Sequence, residues 1–163
     1  MKRKITGFYL DEHNDWVAEL DCYHGQHVRH NPPFKNRPWV MTVSGRKDKL
    51  GEKLNCVRCD RLEFPEGLVA YRKTAIFTAD SVPKGLLKDH SLAPGHWGLL
   101  HVLEGQLRYQ LKHFKKESTL LSKNEKAVIV PCMLHAVAPL GPVRFYVEFF
   151  SKDGVESQKN MCI

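Results

Sequence analysis

The spacing of cysteines and histidines is the feature that most limits how this chain can fold. Cys56 and Cys59 form a C-x-x-C pair, and the stretch DCYHGQH supplies Cys22, His24 and His27. Domains of about 60 residues bury little apolar surface and often need a metal ion to stay folded. Two loops that contribute two ligands each would give a zinc ion its tetrahedral set. We therefore predict a structural zinc site in the first half of the chain.

Five side chains compete for four positions around this metal, and the sequence leaves the choice open. The C-x-x-C pair belongs to the set, and two of Cys22, His24 and His27 complete it. We favour Cys22 with one histidine, because thiolates bind zinc strongly and Cys22 closes a predicted strand. The nearby His30 is interpreted as a residue that hydrogen-bonds its own loop. The alternatives are a redox dithiol, which lacks the βαβ setting that this motif needs, and a surface loop without function.

The net charge of +7 is compatible with a nucleic-acid partner, but its distribution argues against one. Residues 1–64 carry 12 Lys/Arg against 9 Asp/Glu, and residues 65–163 carry 13 against 9, with the signs interleaved. Diffuse charge of this kind is typical of a solvated surface. No window holds 18 consecutive apolar residues, and the start lacks the apolar run of a secretory signal. We expect a cytoplasmic protein with reduced cysteines and no membrane partner.

The first half reads as a small β domain. The runs ITGFYL and DWVAEL flank DEHN, which has the composition of a turn, so we expect a hairpin. The segment NPPFKNRPW is expected to be non-helical, because its three prolines remove hydrogen-bond donors and extend the residues before them.

The second half shows no helical pattern. Short β-rich runs alternate with turn signals, and these runs are AIFTA, WGLLHVLEG, LRYQLKHF, KAVIVP and VRFYVEFF. Five or more strands at this spacing predict a sandwich or a barrel. We therefore predict a mainly β protein with a zinc-binding domain at residues 1–64, a barrel at residues 65–152 and a flexible tail at residues 153–163.

The first half is similar to a small bacterial family. The shared string is C-x-H-x-Q-H-V-R-H-x-P-P-x-x-x-R-P-W-V, followed by a Gly-Arg pair and by C-x-x-C, over roughly Ile5 to Arg61. The family is an uncharacterised, pressure-regulated and zinc-ribbon-like domain. The resemblance implies a zinc-stapled β domain and names no activity.

The second half resembles a small cupin domain. The matching features run from about Tyr71 to Phe150 and are the Gly95-x-Trp97-Gly98 step, the Val102-Leu103-x-Gly105 phrase, Pro131 with His135, and a closing aromatic strand. This domain forms the N-terminal part of some tellurite-resistance methyltransferases (the TehB type) and occurs by itself in proteins of the YeaR type. The resemblance implies a jelly-roll barrel, a double-stranded β-helix. The methyltransferase part is absent, because the chain has no glycine-rich nucleotide loop.

A ligand pocket is expected in the barrel from His90, His96, His135 and Glu148. His90 and His135 match positions where the resembling family also has histidine. Glu148 stands among apolar neighbours and would need a partner, because burying an unpaired carboxylate is costly. Together with the two histidines it would form a set that suits a second divalent metal with open positions. The alternative is that Glu148 faces solvent and the histidines hydrogen-bond across the pocket mouth.

Three neighbouring residues are given other roles. Side chains alternate between the two faces of a strand, so His101 lies on the face opposite to that of Leu100 and Val102. His101 is therefore interpreted as a packing or interdomain residue. Glu104 is expected in a turn. Cys132 is interpreted as a buried small hydrophobe.

These expectations support three classes of function. The first is a cytoplasmic, stress-associated cupin that binds a small molecule or an oxyanion, of the tellurite- or nitrite-resistance type that the resemblance implies. The second is a metal-dependent cupin oxygenase or isomerase, with His90 and His135 as ligands and Glu148 as ligand or general base. The third is an interaction module built on the zinc domain. Exposed strands and the apolar Phe149-Phe150 pair also allow a homodimer.

Overall fold

The computed structural model describes residues 1–29, 35–112 and 116–156. The chain divides into two compact units, Met1–Pro65 and Glu66–Ile163, and is mainly β as predicted. His30, with its predicted loop role, and Cys162 lie outside the described residues. No helix in the described part of the chain is long and apolar enough to cross a membrane.

The N-terminal unit is a four-stranded antiparallel sheet with short helical segments. Its strands are β1 (Lys2–Leu10), β2 (Trp16–Leu20), β3 (Gly25–His27) and β4 (Lys53–Asn55), in the order β3-β2-β1-β4. Its helices are α1 (Val43–Asp48) and α2 (Val57–Asp60). The predicted hairpin is confirmed, because β1 and β2 pair from Ile5 with Leu20 to Leu10 with Trp16.

The proline-rich segment differs from the expectation in its second part. Residues 30–34 lie outside the described residues, but Pro38–Met41 form a 3-10 helix. Proline is compatible with the first turn of a helix, since its missing N–H would have no partner there. The proline at position 38 therefore starts a helical turn that the sequence reading had excluded.

The central strand β1 brings two loops together. The end of β2 pairs with β1 where Leu20 faces Ile5, and the end of β4 pairs with it where Asn55 faces Lys2. Both partner strands run antiparallel to β1, so the chain leaves each of them at the same end of the sheet. The loops after β2 and β4 are the ones that carry the cysteines.

The C-terminal unit is built on two long strands. Its strands are β5 (Val69–Lys73), β6 (Phe77–Thr78), β7 (Trp97–Lys112), β8 (Lys116–Ser122), β9 (Lys126–Ile129) and β10 (His135–Ser151). β7 and β10 pair with each other along their whole length. The sheet that contains them has two halves, which we call half-sheets. The first half of β7 pairs with β9 and its second half with β8, while the second half of β10 pairs with β5 and β6. The core between these strands contains the fully buried Trp97, Leu100, Leu107, Tyr109 and Phe145.

A glycine bend replaces the turn that was expected within the V-L-E-G phrase. The run WGLLHVLEG and residues 107–112 of the run LRYQLKHF belong to one continuous strand, and Glu104 pairs with Arg144 of β10 at 2.8 Å instead of lying in a turn. Gly105 has φ +74°, and the register of β7 and β10 shifts beside it. A residue with positive φ lets a strand bend at a bulge without ending it.

The end of the described chain folds back on β10. The backbone N–H of Val155 donates to the hydroxyl of Ser151 at 3.0 Å, and the same hydroxyl donates to the carboxylate of Asp153 at 2.9 Å. The predicted flexible tail began at residue 153, and its residues 157–163 lie outside the described part.

Replacing Gly105 by alanine should destabilise the C-terminal unit by roughly 3 kcal/mol or more, because positive φ strain adds to a backbone clash. A Cβ at this position would lie 2.0 Å from the carbonyl oxygen of Pro142. Gly141→Ala is the matched control, since Gly141 also has positive φ but a Cβ there meets nothing within 4 Å. The free energy of unfolding in urea, followed by circular dichroism, measures both. Equal losses in the two variants would contradict the clash.

Candidate functional site

Three cysteines and one histidine of the N-terminal unit converge on one point. Nδ1 of His24 lies 3.7 Å from Sγ of Cys22, 3.4 Å from Sγ of Cys56 and 3.5 Å from Sγ of Cys59. The sulfurs of Cys22 and Cys56 are 3.8 Å apart, and all four residues are buried. Within the described residues, this is the single group of three or more such side chains that could hold a metal ion.

Local backbone geometry places each of these ligands. Cys22 and His24 lie in the tight turn between β2 and β3, where the N–H of Leu20 donates to the carbonyl of His24 and Tyr23 has φ +66°. On the other loop, Cys56 caps α2, and its sulfur accepts the backbone N–H of Cys59 at 3.4 Å. The two residues of C-x-x-C are thus held on one side of a single helical turn.

The spacing of the four ligand atoms fits a tetrahedral metal site. A tetrahedron with metal–sulfur bonds of about 2.3 Å and a metal–nitrogen bond of about 2.05 Å has sulfur–sulfur edges of about 3.8 Å and sulfur–nitrogen edges of about 3.6 Å. The sulfur–sulfur edge between Cys22 and Cys56 is 3.8 Å, the three sulfur–nitrogen edges are 3.4 to 3.7 Å, and all four ligand atoms lie within 4.8 Å of one another. The protein therefore presents a metal site whose shape is already formed.

The three thiols of the cluster differ in how readily they lose a proton. Hydrogen bonds from Cys22, and then from Cys59, lower the pKa of Cys56. The hydrogen bond to Cys56 raises the pKa of Cys22 to about 11, and hydrogen bonds to Cys22 and Cys56 raise the pKa of Cys59. Cys56 is thus the thiol that ionises first, and a bound cation would be needed to ionise all three.

A buried arginine next to the cluster was missed by the sequence reading. Arg3 of β1 is 3% exposed, and its positive charge opposes the rise in the pKa of Cys59 that the hydrogen bonds to Cys22 and Cys56 cause. Three thiolates around a divalent cation carry one net negative charge, which the guanidinium offsets. The signal was present in the alternation of β1, because Arg3 shares its parity with the buried Ile5 while Lys2 and Lys4 point outward.

His27 does not join the metal cluster. Its Nε2 lies 2.8 Å from a carboxylate oxygen of Asp11, and this hydrogen bond lowers the pKa of Asp11 to about 2. The sequence left open whether His24 or His27 joins the cysteines, and His24 is the histidine that lies among them.

In the C-terminal unit, His90 and His135 form a contacting pair. Their ring centroids are 4.1 Å apart, and their backbones form an antiparallel bridge with N–H to carbonyl distances of 3.0 and 2.9 Å. His135 is 2% exposed and His90 is half-buried. The structure thus brings together the two histidines that the sequence singled out.

Both rings of this pair are held by the same kind of hydrogen bond. Nδ1 of His90 donates to the carbonyl of Lys88, and Nδ1 of His135 donates to the carbonyl of Met133, each at 2.9 Å. A carbonyl can only accept, so each Nδ1 carries the proton and each neutral ring keeps a lone pair on Nε2. Burial, and then the charge of His90, lower the pKa of His135 to about 4. Among the described residues, neither Nε2 has a hydrogen-bond partner.

The other two residues of the expected pocket lie elsewhere. Nδ1 of His96 is 3.0 Å from the hydroxyl of Tyr71. Glu148 lies 2.8 Å from Nε2 of His101, in ion-pair range but not aligned as a hydrogen bond. Glu148 lies away from the pair because β10 spans both half-sheets, so that Glu148 faces Leu99 in register whereas His135 faces Leu111. His96 lies in the loop directly before β7. The expected two-histidine, one-carboxylate set is not assembled.

His101 packs on the outer face of its half-sheet. It is 8% exposed and stacks on Tyr146 with ring centroids 4.5 Å apart and an interplanar angle of 7°. The ammonium of Lys73 lies 3.8 Å from the centroid of the same Tyr146 ring. Burial lowers the pKa of His101, and the charge of Glu148 opposes this shift. These contacts agree with the packing role expected for His101.

The expectation for Cys132 was wrong. Cys132 is exposed and has φ +56°, in the turn between Pro131 and Met133. The backbone N–H of Cys132 donates to the carbonyl of Leu92 at 2.8 Å, which holds this turn and directs the side chain outward. Its two neighbours in the chain are buried in its place.

We expect His24→Ala and Cys59→Ser to lose the bound metal, whereas His27→Ala and Cys132→Ser retain it. The first pair removes ligand atoms, and the second removes the same residue types from outside the cluster. Metal binding of this kind contributes roughly 10 kcal/mol to the folded state, so loss of one ligand should also unfold the N-terminal unit. Elemental analysis by plasma mass spectrometry gives the metal content per chain. Metal loss in His27→Ala with retention in His24→Ala would contradict the assigned set.

The C-terminal unit should lose stability as the pH falls from about 6.5 to about 4. His135 has a pKa of about 4 in the fold and about 6.5 when unfolded, so within this window the unfolded chain alone binds the proton. Above a pH of about 6.5, neutral His135 makes its full contribution to the free energy of unfolding. At a pH of about 4, about 3 kcal/mol of this free energy has been lost. Urea unfolding of the wild type and of His135→Asn across this range measures the effect. The same pH dependence in both proteins would exclude His135 as its source.

Two family models match this chain, one in each unit. Residues 6–63 match the model described as "Protein of unknown function (DUF3565)", and residues 72–147 match the model of the TehB-like domain. No curated protein matches the chain.

Solved structures are similar to about half of the chain. A protein from E. coli (strain K12) is 22% identical with a TM-score of 0.50, over 54% of this chain and 94% of that chain. TehB from Haemophilus influenzae is 22% identical with a TM-score of 0.49, over 53% of this chain and 32% of that chain. KdgF from Halomonas sp. is 19% identical with a TM-score of 0.35, over 52% of this chain and 64% of that chain. The chain thus spans about a third of the length of TehB.

These matches confirm the fold class and both resemblances inferred from the sequence. A small β unit that can hold a metal ion precedes a second β unit built on β7 and β10. One family model thus matches within each unit, that of DUF3565 in the first and that of the TehB-like domain in the second.

Proposed function

We propose that this protein is a small-molecule-binding cupin whose ligand site is the His90–His135 pair and whose N-terminal unit is stabilised by structural zinc. The observation that carries the proposal is the geometry of the pair. Two contacting imidazoles are oriented by backbone carbonyls and keep both Nε2 atoms without partners among the described residues. Each Nε2 can accept a hydrogen bond, so two such rings in contact offer a site for a ligand that donates.

Zinc is the metal that we assign to the N-terminal cluster. Three thiolates and one imidazole at tetrahedral spacing suit zinc better than the oxygen-preferring cations. Four protein ligands leave no open position, which supports a structural role instead of a catalytic one. Three thiolates also require a reducing compartment, so we place the protein in the cytoplasm.

The ligand that we propose belongs to the class of small oxyacids. The match to the TehB-like domain supports this class, because the resemblance links the domain to tellurite and, for free-standing members, to nitrite. The role that follows is protection of the cell against such a compound. The pair would bind the oxyacid, while the zinc unit would keep the small N-terminal domain folded.

The test is a titration of the full-length, zinc-loaded protein with tellurite and with nitrite. Histidine imidazoles labelled with nitrogen-15 report binding directly, because Nε2 of His90 and His135 should shift on addition of the ligand. A Cys132→Ser background removes the exposed thiol, which tellurite would oxidise.

We expect His90→Ala to abolish the shifts and His96→Ala to leave them unchanged, since His96 lies against Tyr71 and outside the pair. The melting temperature of each variant checks that the barrel remains folded. Failure of both compounds to shift the pair, or binding that survives His90→Ala, would remove the proposed function.

A further inference from the structure

We propose that the His90–His135 pair recognises hydroxyl protons, so that it binds an uncharged or partly protonated oxyacid and rejects a fully deprotonated anion. This inference rests on the proposed function of the pair as a ligand site and names the class of ligand within it. The argument uses the hydrogen bonds of the two rings, the partners that two other donors already have and the charges that face the rings.

The hydrogen bonds of the rings make the pair an acceptor site. Each Nδ1–H is used by a backbone carbonyl, that of Lys88 or that of Met133. Each Nε2 is therefore unprotonated in the neutral ring and can only accept a hydrogen bond. A ligand that fits two acceptors side by side must bring its own protons. A hydroxyl-bearing acid has them, and a bare oxyanion does not.

Two described side chains that carry donors, Tyr109 and Lys112, already have partners. The ring of Tyr109 lies 5.9 Å from that of His135, but its hydroxyl already donates to the carbonyl of Val128 at 3.2 Å. The ammonium of Lys112 is paired with the carboxylate of Asp89. Neither group is available to replace the missing hydrogen bonds of an oxyanion.

The charge around the pair also opposes an anion. The charged groups that act on His135 are His90 and Asp89, and Asp89 is the residue directly before His90. In the neutral state of the rings, the carboxylate of Asp89 is therefore the charge that still acts on His135, and it is ion-paired with Lys112. An anion would enter against a carboxylate without gaining a cation, whereas an uncharged acid would not. His90 is half-buried, so the ligand reaches the pair from the side of this residue.

Boric acid and nitrate are matched probes for this selection. Both are small, planar and trigonal, but boric acid carries three hydroxyl groups and nitrate carries none. We expect boric acid to shift the Nε2 resonances of both histidines at neutral pH. Nitrate should bind weaker by roughly tenfold or more, since it loses one or two hydrogen bonds. Boron-11 spectra should show trigonal boron in the complex, and a tetrahedral boron–nitrogen adduct would overturn the inference.

A charge-changing variant gives the converse test. His90→Lys places an ammonium donor at the half-buried position and should reverse the preference toward nitrate, while His90→Ala should weaken both probes. In the wild type, nitrate binding at neutral pH that equals that of boric acid would overturn the inference and leave the site intact. Absence of any shift at the pair with either of these probes, with tellurite or with nitrite would instead overturn the proposed function itself.

Discussion

Antiparallel strand register decides which side chains meet in both units of this protein. In the N-terminal unit, β1 pairs with the ends of β2 and β4, so the loop with Cys22 and the loop with Cys56 arrive at the same place. In the C-terminal unit, the register of β7 and β10 sets His135 opposite Leu111 in one half-sheet and Glu148 opposite Leu99 in the other. The metal cluster and the histidine pair are both consequences of backbone hydrogen bonding.

The composition of the sites could be predicted well from local patterns. C-x-x-C, with another cysteine and two histidines at a distance, gave five candidate ligands that include the four members of the metal cluster, because such ligands have few other roles in a small reduced domain. The alternating runs identified the strands, and His90 with His135 emerged as a pair. These features depend on residue chemistry and on short periods, which a sequence contains in full.

The contacts that could not be predicted from the sequence depend on how segments far apart in the chain pair with one another. The choice of His24 over His27 requires a turn in which Tyr23 takes positive φ, a conformation that non-glycine residues seldom adopt. The separation of Glu148 from the histidines requires the register of two strands that bend together at Gly105. Neither property is encoded within a short window, because each results from pairing between segments far apart in the chain.

The strand order also affects how the protein emerges during synthesis. All ligands of the metal cluster lie at or before Cys59, so the N-terminal unit can fold and take up its ion while the rest of the chain is still being translated. The C-terminal unit must wait for β10, which pairs with β5, β6 and β7 and is the last strand to leave the ribosome. Until then β7 presents an unpaired edge, and an unpaired edge strand in a nascent chain is prone to aggregation.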